Sequence, residues 1–234
     1  MTCLALQNPT QYKDARRELR ELDLSFLPPS FVRLPIARRL YRGRGIGDIR
    51  KSWDVLWMLK RIGLQNTSAR VLDVGAYRSE MMAALLKAGF TQSVGVDLAF
   101  PTGTGNVGAL YARADMMRTP FVGDSFDHIT AVSVIEHGFD CERLFAEAAR
   151  ILKRGGTFLA SFDYWPTKID TSQTPLFGLP WNIFSADEVK QLIDGARRAG
   201  LVPTGPINLE VGAPPIHFER RRYTFGVLEV RKES

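Results

Sequence analysis

The feature that most constrains this chain is a regular alternation, from residue 70 onward, of short apolar runs with amphipathic segments. The runs predict strands at 70–74, 92–97, 109–113, 127–135 and 156–164, and the amphipathic segments predict helices at 79–88, 141–152 and 186–199. Such alternation is typical of a mostly parallel sheet with helices on both faces. Segments at 206–211 and 222–230 would add two more strands. The predicted fold class is therefore α/β, with a mostly parallel seven-stranded sheet.

The chain of 234 residues suits one domain with an extension. We predict a helical and basic N-terminal extension at 1–47 and the α/β domain at 48–234. A polar helix at 10–23 is followed by prolines that interrupt regular structure. A further helix, with Asp48 as its predicted cap and an end near residue 62, leads into the first strand of the domain.

Composition excludes several classes of protein. Apolar residues make up 45% and charged residues 24% of the chain, as in ordinary soluble globular proteins. No stretch approaches the roughly 18 apolar residues of a membrane-spanning helix, and the N-terminus lacks a secretory pattern. Cys3 and Cys141 are too few for a disulfide framework or a zinc cluster. We therefore expect a cytoplasmic protein without a transmembrane segment or a metal site.

Positive charge is concentrated in segment 33–51 of a chain whose net charge is +6. Arginine and lysine alternate there with apolar residues. Such a segment could contact nucleic acid, an anionic membrane surface or a phosphorylated substrate. It could equally be a solvated arm that packs its apolar residues on the domain. The sequence leaves these alternatives open.

Two acids mark the carboxyl ends of the first two predicted strands of the domain. Asp73 is followed by Gly75 and a turn into a helix, and Asp97 ends the next strand. Acids at the ends of adjacent parallel strands can hold a nucleoside-type cofactor, and a carboxylate suits the vicinal diol of a ribose. Asp97 alone fits both NAD and S-adenosylmethionine (SAM). Residues 75–80 are GAYRSE, which lacks the dinucleotide fingerprint, and the G-x-G-x-x-G at 103–108 opens no clear helix.

Several motifs in the right order resemble those of class I SAM-dependent methyltransferases. The first turn resembles the family pattern D-x-G-x-G-x-G, with Tyr77 and Ser79 in place of two glycines. The run 114–127, ADMMRTPFVGDSFD, resembles the family segment that leads into the fourth strand. The resemblance covers about 70–165 and is closest to the methyltransferase type 11-like bacterial enzymes that modify small molecules and sugars. It implies a Rossmann-like fold, SAM as the cofactor and S-adenosylhomocysteine (SAH) as the product.

The resemblance also implies which residues bind the cofactor. Asp73 and the first turn would hold the amino-acid end of SAM, Asp97 the ribose hydroxyls, and Asp115 with the Met116 backbone the adenine. Tyr77 would have to turn its side chain aside, and Ser79 is a predicted helix cap. The full predicted cofactor set is Asp73, Gly75, Ala76, Tyr77, Asp97, Leu98, Asp115, Met116 and Ser133.

Candidate catalytic residues lie where the fourth and fifth strands of the domain end, next to the expected position of the methyl group. His137 is the first candidate general base because imidazole titrates near neutrality. Glu136 and Asp163 are further candidates. Each of the three could instead have a structural role.

The loop 165–184 is rich in aromatic residues and follows the fifth strand. Aromatic residues on a loop over an active site are typical of a substrate lid. We predict that Tyr164, Trp165 and Trp181 contact the substrate. Packing against the final helix is the alternative.

Two classes of nucleic-acid acceptor are disfavoured because their motifs are missing from the sequence. Enzymes that methylate exocyclic base amines resemble one another in an N/D/S-P-P-Y/F motif, where this chain has Ile135-Glu136-His137-Gly138. Cytosine C5 enzymes need a Pro-Cys nucleophile, and neither cysteine follows a proline. We therefore predict methyl transfer to an O or N atom of a sugar, polysaccharide unit or natural product. An RNA methyltransferase using the basic arm and a catalytically degenerate binding module are the alternatives, and the oligomeric state stays open.

Overall fold

The computed structural model describes residues 2–25, 48–77, 79–99 and 110–233. The helices are α1 (Pro9–Glu21), α2 (Ser52–Ile62), α3 (Glu80–Lys87), α4 (Cys141–Ile151) and α5 (Ala186–Arg198). The strands are β1 (Cys3–Ala5), β2 (Val71–Val74), β3 (Val94–Asp97), β4 (Leu110–Arg113), β5 (Phe126–Val132), β6 (Leu152–Tyr164), β7 (Leu201–Pro203), β8 (Ile207–Asn208), β9 (Ile216–Phe218) and β10 (Arg221–Lys232). Most of the basic segment 33–51 and the glycine pattern at 103–108 lie outside the described residues.

The strands form one mixed sheet in the order β4-β3-β2-β5-β6-β10-β1-β8, with β7 and β9 also paired to β10. Strands β2 to β6 are parallel, whereas β10 runs antiparallel to β6. This arrangement confirms the predicted Rossmann-like α/β fold. The predicted number of seven strands was too low, since the described residues form ten. The three additional strands, β1, β7 and β9, have only three residues each, which is too short for an alternating pattern to show.

Strand β1 belongs to the sheet although it precedes the predicted domain. It lies between β10 and β8, and Leu4 pairs with Val227. Cys3 and Ala5 are buried, and Thr224 Oγ1 donates a hydrogen bond to the carbonyl of Leu6. A segment of three residues gains its structure from partners distant in sequence, so the local pattern did not predict this strand.

Two apolar cores cover the two faces of the sheet. One core packs α1, α2 and α3 against the sheet together with part of the loop 165–184. The other packs α4 and α5 on the opposite face. Side chains of β6 alternate between the two, so that Leu159 belongs to the first core and Ala160 to the second. No helix within the described ranges is long and apolar enough to cross a membrane.

Helix caps follow the sequence in two cases and differ in a third. Ser185 and Glu188 form the predicted capping box of α5, and Ser79 caps α3 by accepting a hydrogen bond from Met81 N. Asp48 does not cap α2, which begins at Ser52 without a side-chain cap. Its carboxylate instead accepts hydrogen bonds from the backbone and guanidinium of Arg50. The charged guanidinium of Arg50 is a stronger donor than a backbone N–H. The Asp48 carboxylate therefore bonds Arg50 rather than the first amides of α2.

Candidate active site

Gly75 forms the tight turn between β2 and α3. Its φ of 72° lies in the left-handed region, and a Cβ at this position would clash with Val134 Cγ2. The next residue, Ala76, donates its backbone N–H to Val96 O at 3.0 Å. The turn therefore runs close to the ends of β3 and β5, where the chain leaves space only for a glycine.

Asp73 ends its strand with an incompletely bonded carboxylate. Its side chain is fully buried, and Thr130 Oγ1 donates to Oδ1 at 2.7 Å. The second oxygen, Oδ2, is buried and has no hydrogen-bond partner among the described residues. Burial raises the pKa of Asp73 to about 7, against the effects of the Ser79 and Thr130 hydroxyl groups. An ammonium group is the ligand that would satisfy this oxygen and favour its ionised form.

Asp97 is fixed at the end of β3 by two backbone amides. Tyr77 N donates to Oδ2 at 3.0 Å and Ala99 N donates to Oδ1 at 2.7 Å. Each carboxylate oxygen can accept a second hydrogen bond, so the group keeps the capacity to bind two hydroxyls. Tyr77 contributes its backbone here, while its side chain is 41% exposed. Leu98, another predicted cofactor residue, is exposed beside Asp97.

The predicted adenine-binding segment follows β4 at the same edge of the sheet. Ala114 N donates to Asp97 O at 3.1 Å, which places Asp115 close to the end of β3. Asp115 Oδ1 accepts a hydrogen bond from Met117 N at 2.9 Å, and Met116 packs partly against the second core. Thr119 anchors the segment to α4 by donating its backbone N–H to Glu147 at 2.7 Å.

Ser133 begins the turn after β5 and contacts a residue that sequence reasoning missed. Its φ is 51°, and its backbone N–H donates to Ser161 O at 3.2 Å. The side-chain oxygen of Ser133 accepts a hydrogen bond from Lys51 Nζ. Lys51 directly precedes α2, so the structure brings this helix to the ends of β5 and β6.

Lys51 is surrounded by three carboxylates, and we call Lys51, Asp54, Glu136 and Asp163 the Lys51 cluster. The ammonium nitrogen lies 3.6 Å from Asp54 Oδ2 and 4.0 Å from the centre of the Phe225 ring. Asp54 also accepts a hydrogen bond from Ser161 Oγ at 2.9 Å. The site therefore contains buried charges contributed by α2, by the turn after β5 and by β6.

The pKa shifts in the Lys51 cluster reflect burial and mutual interaction. Burial opposes the charge on Lys51, but Asp54, Asp163 and Glu136 raise its pKa above the usual value. Burial raises the pKa of Asp163 to about 6, against the effects of Lys51 and Trp181. Burial, followed by repulsion from Asp163, raises the pKa of Glu136 well above its usual range. Neither Lys51 nor Asp54 was predicted as a site residue, and Lys51 was counted in the basic segment 33–51.

Glu136 and His137 each have an orphaned polar atom. Glu136 is 1% exposed, and its Oε2 has no hydrogen-bond partner among the described residues. The same holds for Nδ1 of His137, which is half-buried. Burial, and to a lesser degree Lys51, lowers the pKa of His137 below its usual value. At neutral pH this imidazole is therefore uncharged and able to accept a proton.

Tyr164, the last residue of β6, directly precedes the loop 165–184 that was predicted to cover the site. Tyr164 is fully buried in the second core, and its hydroxyl donates to Leu209 O at 2.9 Å. It therefore lies on the opposite face of the sheet from Asp163, away from the Lys51 cluster, and its contact with the substrate stays a prediction. Strand alternation explains this placement, since neighbouring residues point to opposite faces.

Trp181 and Trp165 lie on the site's face of the sheet. Trp181 is buried and donates its indole N–H to Asp163 Oδ2 at 2.8 Å. Trp165 is half-buried against the first core. At the tip of the loop, Phe177 is 89% exposed, and its ring meets the His137 ring edge-on at 5.4 Å between centroids.

The other two histidines lie away from these groups. His128 Nδ1 is 2.8 Å from Thr157 Oγ1 within the sheet, and His217 is exposed on β9. In the part of the chain that the structure describes, no group of three or more His, Cys, Asp or Glu side chains could hold a metal ion.

Comparisons with known proteins agree on one fold. Residues 72–160 match the family model described as a methyltransferase domain. A search of curated proteins found no match. Among solved structures, an S-adenosylmethionine-dependent methyltransferase from Mesorhizobium loti matches with a TM-score of 0.54 and 16% identity, covering 78% of this chain and 98% of that chain.

Two further structures are similar over most of this chain. The 1,6-didemethyltoxoflavin-N1-methyltransferase of Burkholderia thailandensis has a TM-score of 0.56 and 16% identity, covering 98% of this chain and 92% of that one. The phosphoethanolamine N-methyltransferase 2 of Haemonchus contortus has a TM-score of 0.59 and 16% identity, covering 85% and 57%. In all, 875 solved chains match. The three described above are each 16% identical to this chain, and similarity at that level establishes the fold alone.

Proposed function

We propose that the chain is a class I SAM-dependent methyltransferase and that it transfers the methyl group of SAM to an oxygen or nitrogen atom of a small molecule. The observation that carries this proposal is the orphaned Oδ2 of Asp73 next to the glycine turn. An active cofactor site must supply a partner for the ammonium group of SAM. A fold used only for binding a protein partner has no need of a buried, unbonded carboxylate there.

The residues at the edge of the sheet fit the cofactor. Asp73 would hold the ammonium group, Gly75 would allow the backbone to approach the ligand, and Asp97 would accept hydrogen bonds from the ribose hydroxyls. Asp115 and Met116 would contact the adenine. When bound, SAM supplies an electrophilic methyl group on a positively charged sulfur.

The contribution of the chain to the reaction is alignment and proton removal. Holding the reacting atoms in line can supply about 7 kcal/mol or more of the rate enhancement. His137 is uncharged at neutral pH, so it can accept a proton from a hydroxyl or an ammonium group. A general base of this kind contributes roughly 10²–10⁴-fold. Glu136 and Asp163 are alternative proton acceptors, because burial raises the pKa of each carboxyl group.

A small acceptor is supported by the burial of the polar groups at this end of the sheet. Asp54, Glu136 and Asp163 are all buried, and a few buried polar groups are typical of small-molecule sites. Two enzymes of the same fold are solved with 1,6-didemethyltoxoflavin and with phosphomonomethylethanolamine, so the fold accommodates small acceptors. A sugar, a polysaccharide unit or a natural product is the proposed acceptor class.

Calorimetry with SAH tests the cofactor site without knowledge of the acceptor. We expect the wild-type protein to bind SAH and Asp97→Ala to bind it at least tenfold more weakly. Asp194→Asn is the matched control, because Asp194 is an exposed partner of Arg197 on α5, and its affinity should equal that of the wild type. Absence of binding by the wild type at millimolar SAH would refute the enzyme proposal in favour of a binding module. Transfer of labelled methyl groups from SAM into purified RNA would refute the small-molecule acceptor.

A further inference from the structure

The Lys51 cluster contains three acidic groups and one basic group. Lys51 faces three carboxylates, of which Asp54 is the best compensated. Asp54 has Lys51 Nζ at 3.6 Å and also accepts hydrogen bonds from Ser161 Oγ and its neighbour Val55 N. One lysine therefore offsets one carboxylate. The charges of Glu136 and Asp163 have no basic counterpart within the cluster.

The two remaining carboxylates differ in how far the chain satisfies them. Asp163 accepts a hydrogen bond from the indole of Trp181 at 2.8 Å. Glu136 is almost completely buried, and its Oε2 has no partner among the described residues. Buried polar atoms in folded proteins are almost always hydrogen-bonded, so this oxygen indicates a partner that is not among the described residues, and a bound ligand can supply it. A partner that carries a positive charge as well as N–H donors would satisfy this oxygen and favour the ionised form of the carboxyl groups, whose pKa values are raised by burial.

The cluster can be reached from solvent. The side chain of Lys51 is 23% exposed, and Ser133 and His137, on either side of the buried Glu136 in sequence, are half-buried. A ligand that enters between these residues meets Glu136 at the carboxyl end of β5. This end of the sheet is where the acceptor must lie if the cofactor is held by the ends of β2 and β3.

We infer that Glu136 and Asp163 bind a protonated amine of the acceptor, and that the enzyme methylates the nitrogen of an amine-bearing small molecule. This inference rests on the proposed function and narrows its acceptor. A hydroxyl could donate to Glu136 Oε2 but would leave the charge of the cluster unchanged. An ammonium group supplies both the hydrogen bonds and the charge.

The chemistry of an amine acceptor balances with groups already present. The bound ammonium first gives one proton to a carboxylate, which leaves a neutral amine with a free lone pair. That lone pair forms the new bond to the methyl carbon, while the bonding electron pair of the carbon–sulfur bond leaves with the sulfur of SAH. The methylated nitrogen carries the positive charge, which the carboxylates again offset. The raised pKa of each acid makes it a competent proton acceptor for the first step.

The sulfonium of SAM is the rival source of positive charge for Glu136. The two sources are separated by comparing SAM with SAH, because the sulfur of SAH is uncharged. If Glu136 serves the acceptor, Glu136→Gln binds SAM and SAH with the same affinity ratio as the wild type. A loss of affinity for SAM of more than fivefold, with SAH unchanged, assigns Glu136 to the sulfonium and overturns the inference.

Matched amines and alcohols test the acceptor class directly. The probes are glucosamine with glucose and benzylamine with benzyl alcohol, titrated by calorimetry into the protein saturated with SAH. We expect at least one amine to bind more than fivefold more tightly than its alcohol. Glu136→Gln should abolish this preference, and Glu142→Gln, in which the altered side chain is 79% exposed, should retain it.

Asp163→Asn provides a second variant, since asparagine keeps an oxygen that can accept the hydrogen bond from Trp181. It should also reduce the amine preference while leaving SAH affinity unchanged. The inference is overturned if the protein binds SAH but shows no preference for an amine over its alcohol, or binds none of the four probes. The proposed function is then left intact. Absence of SAH binding contradicts both.

Discussion

Trp181 donates its indole N–H to Asp163 Oδ2 at 2.8 Å, and this bond connects the loop 165–184 to the end of β6. Both residues are buried, and the indole ring also meets the rings of Phe218 and Tyr223 edge-on. The loop is therefore attached to a titrating carboxylate of the site, and the protonation of Asp163 should change how firmly it is held.

Trp181→Phe removes the hydrogen bond and keeps an aromatic ring. A charge-assisted hydrogen bond contributes about 1.5–3 kcal/mol, so we expect a loss of stability of this size at pH 8. The pKa of Asp163 is raised to about 6, so the carboxyl is mostly protonated at pH 5 and the loss should be smaller there. Urea unfolding of both proteins at the two pH values measures the difference. Trp165→Phe, in the half-buried neighbour, should show no such dependence on pH.

Gly75→Ala should damage both stability and cofactor binding. The new Cβ clashes with Val134 Cγ2, and alanine disfavours the φ of 72°. We expect a loss of roughly 3 kcal/mol from overpacking and backbone strain together. Val134→Ala in the same protein removes the clash and leaves the strain, so thermal unfolding of the double variant should recover part of the loss. If the double variant recovered all of the lost stability, or none of it, the loss would not be divided between a clash and backbone strain.

The affinity for SAH should rise with pH between about 5 and 7. The pKa of Asp73 is raised to about 7 by burial, so below this pH an ammonium ligand must displace a proton from the carboxyl. Linkage then predicts at most about a tenfold gain in affinity per pH unit, ending near pH 7. Calorimetry in buffers of different ionisation enthalpy detects the released proton. Asp73→Asn should bind weakly and without this pH dependence, and an unchanged pH profile in that variant would assign the proton to another group.

Lys51→Met should destabilise the protein, and more strongly at high pH. The substitution leaves Asp54, Glu136 and Asp163 without a cation, and breaking a buried ion pair costs about 3 kcal/mol or more. Since the pKa of each of these acids is raised, acidification towards pH 5 neutralises part of the repulsion and should restore stability. Lys60→Met, in an exposed pair with Glu18, is the control and should change stability by less than about 1 kcal/mol at both pH values.

The parallel part of the fold was predictable from sequence because its strands are buried and its helices carry clear apolar stripes. The capping box at Ser185 and the boundaries of α4 and α5 followed from local signals alone. Strand β1 and the short strands beside β10 depend on pairing between distant segments. No local pattern encodes that pairing, so the sheet was predicted too small.

In the candidate site, too, some residues were predictable from the sequence and others were not. Asp73, Gly75 and Asp97 were placed by motifs that recur in sequence, and the structure brings them to one edge of the sheet. The Lys51 cluster depends on a helix crossing to two strand ends, which sequence spacing does not show. The burial of Tyr164 on the face opposite Asp163 follows from strand alternation, because adjacent residues of a strand point to opposite faces.

The position of β1 has a consequence for how the protein is made. Thr224 bonds Leu6 across a separation of 218 residues, and β10 lies between β6 and β1 in the sheet. During translation β1 has neither of its neighbours in the sheet until β8 and then β10 have been synthesised. Contacts of such long range slow folding, so the parallel strands would assemble first and the join between the two ends of the chain would close last. Until that join closes, the exposed edges of β6 and β1 are open to pairing with other chains, and chaperones would find their binding site there.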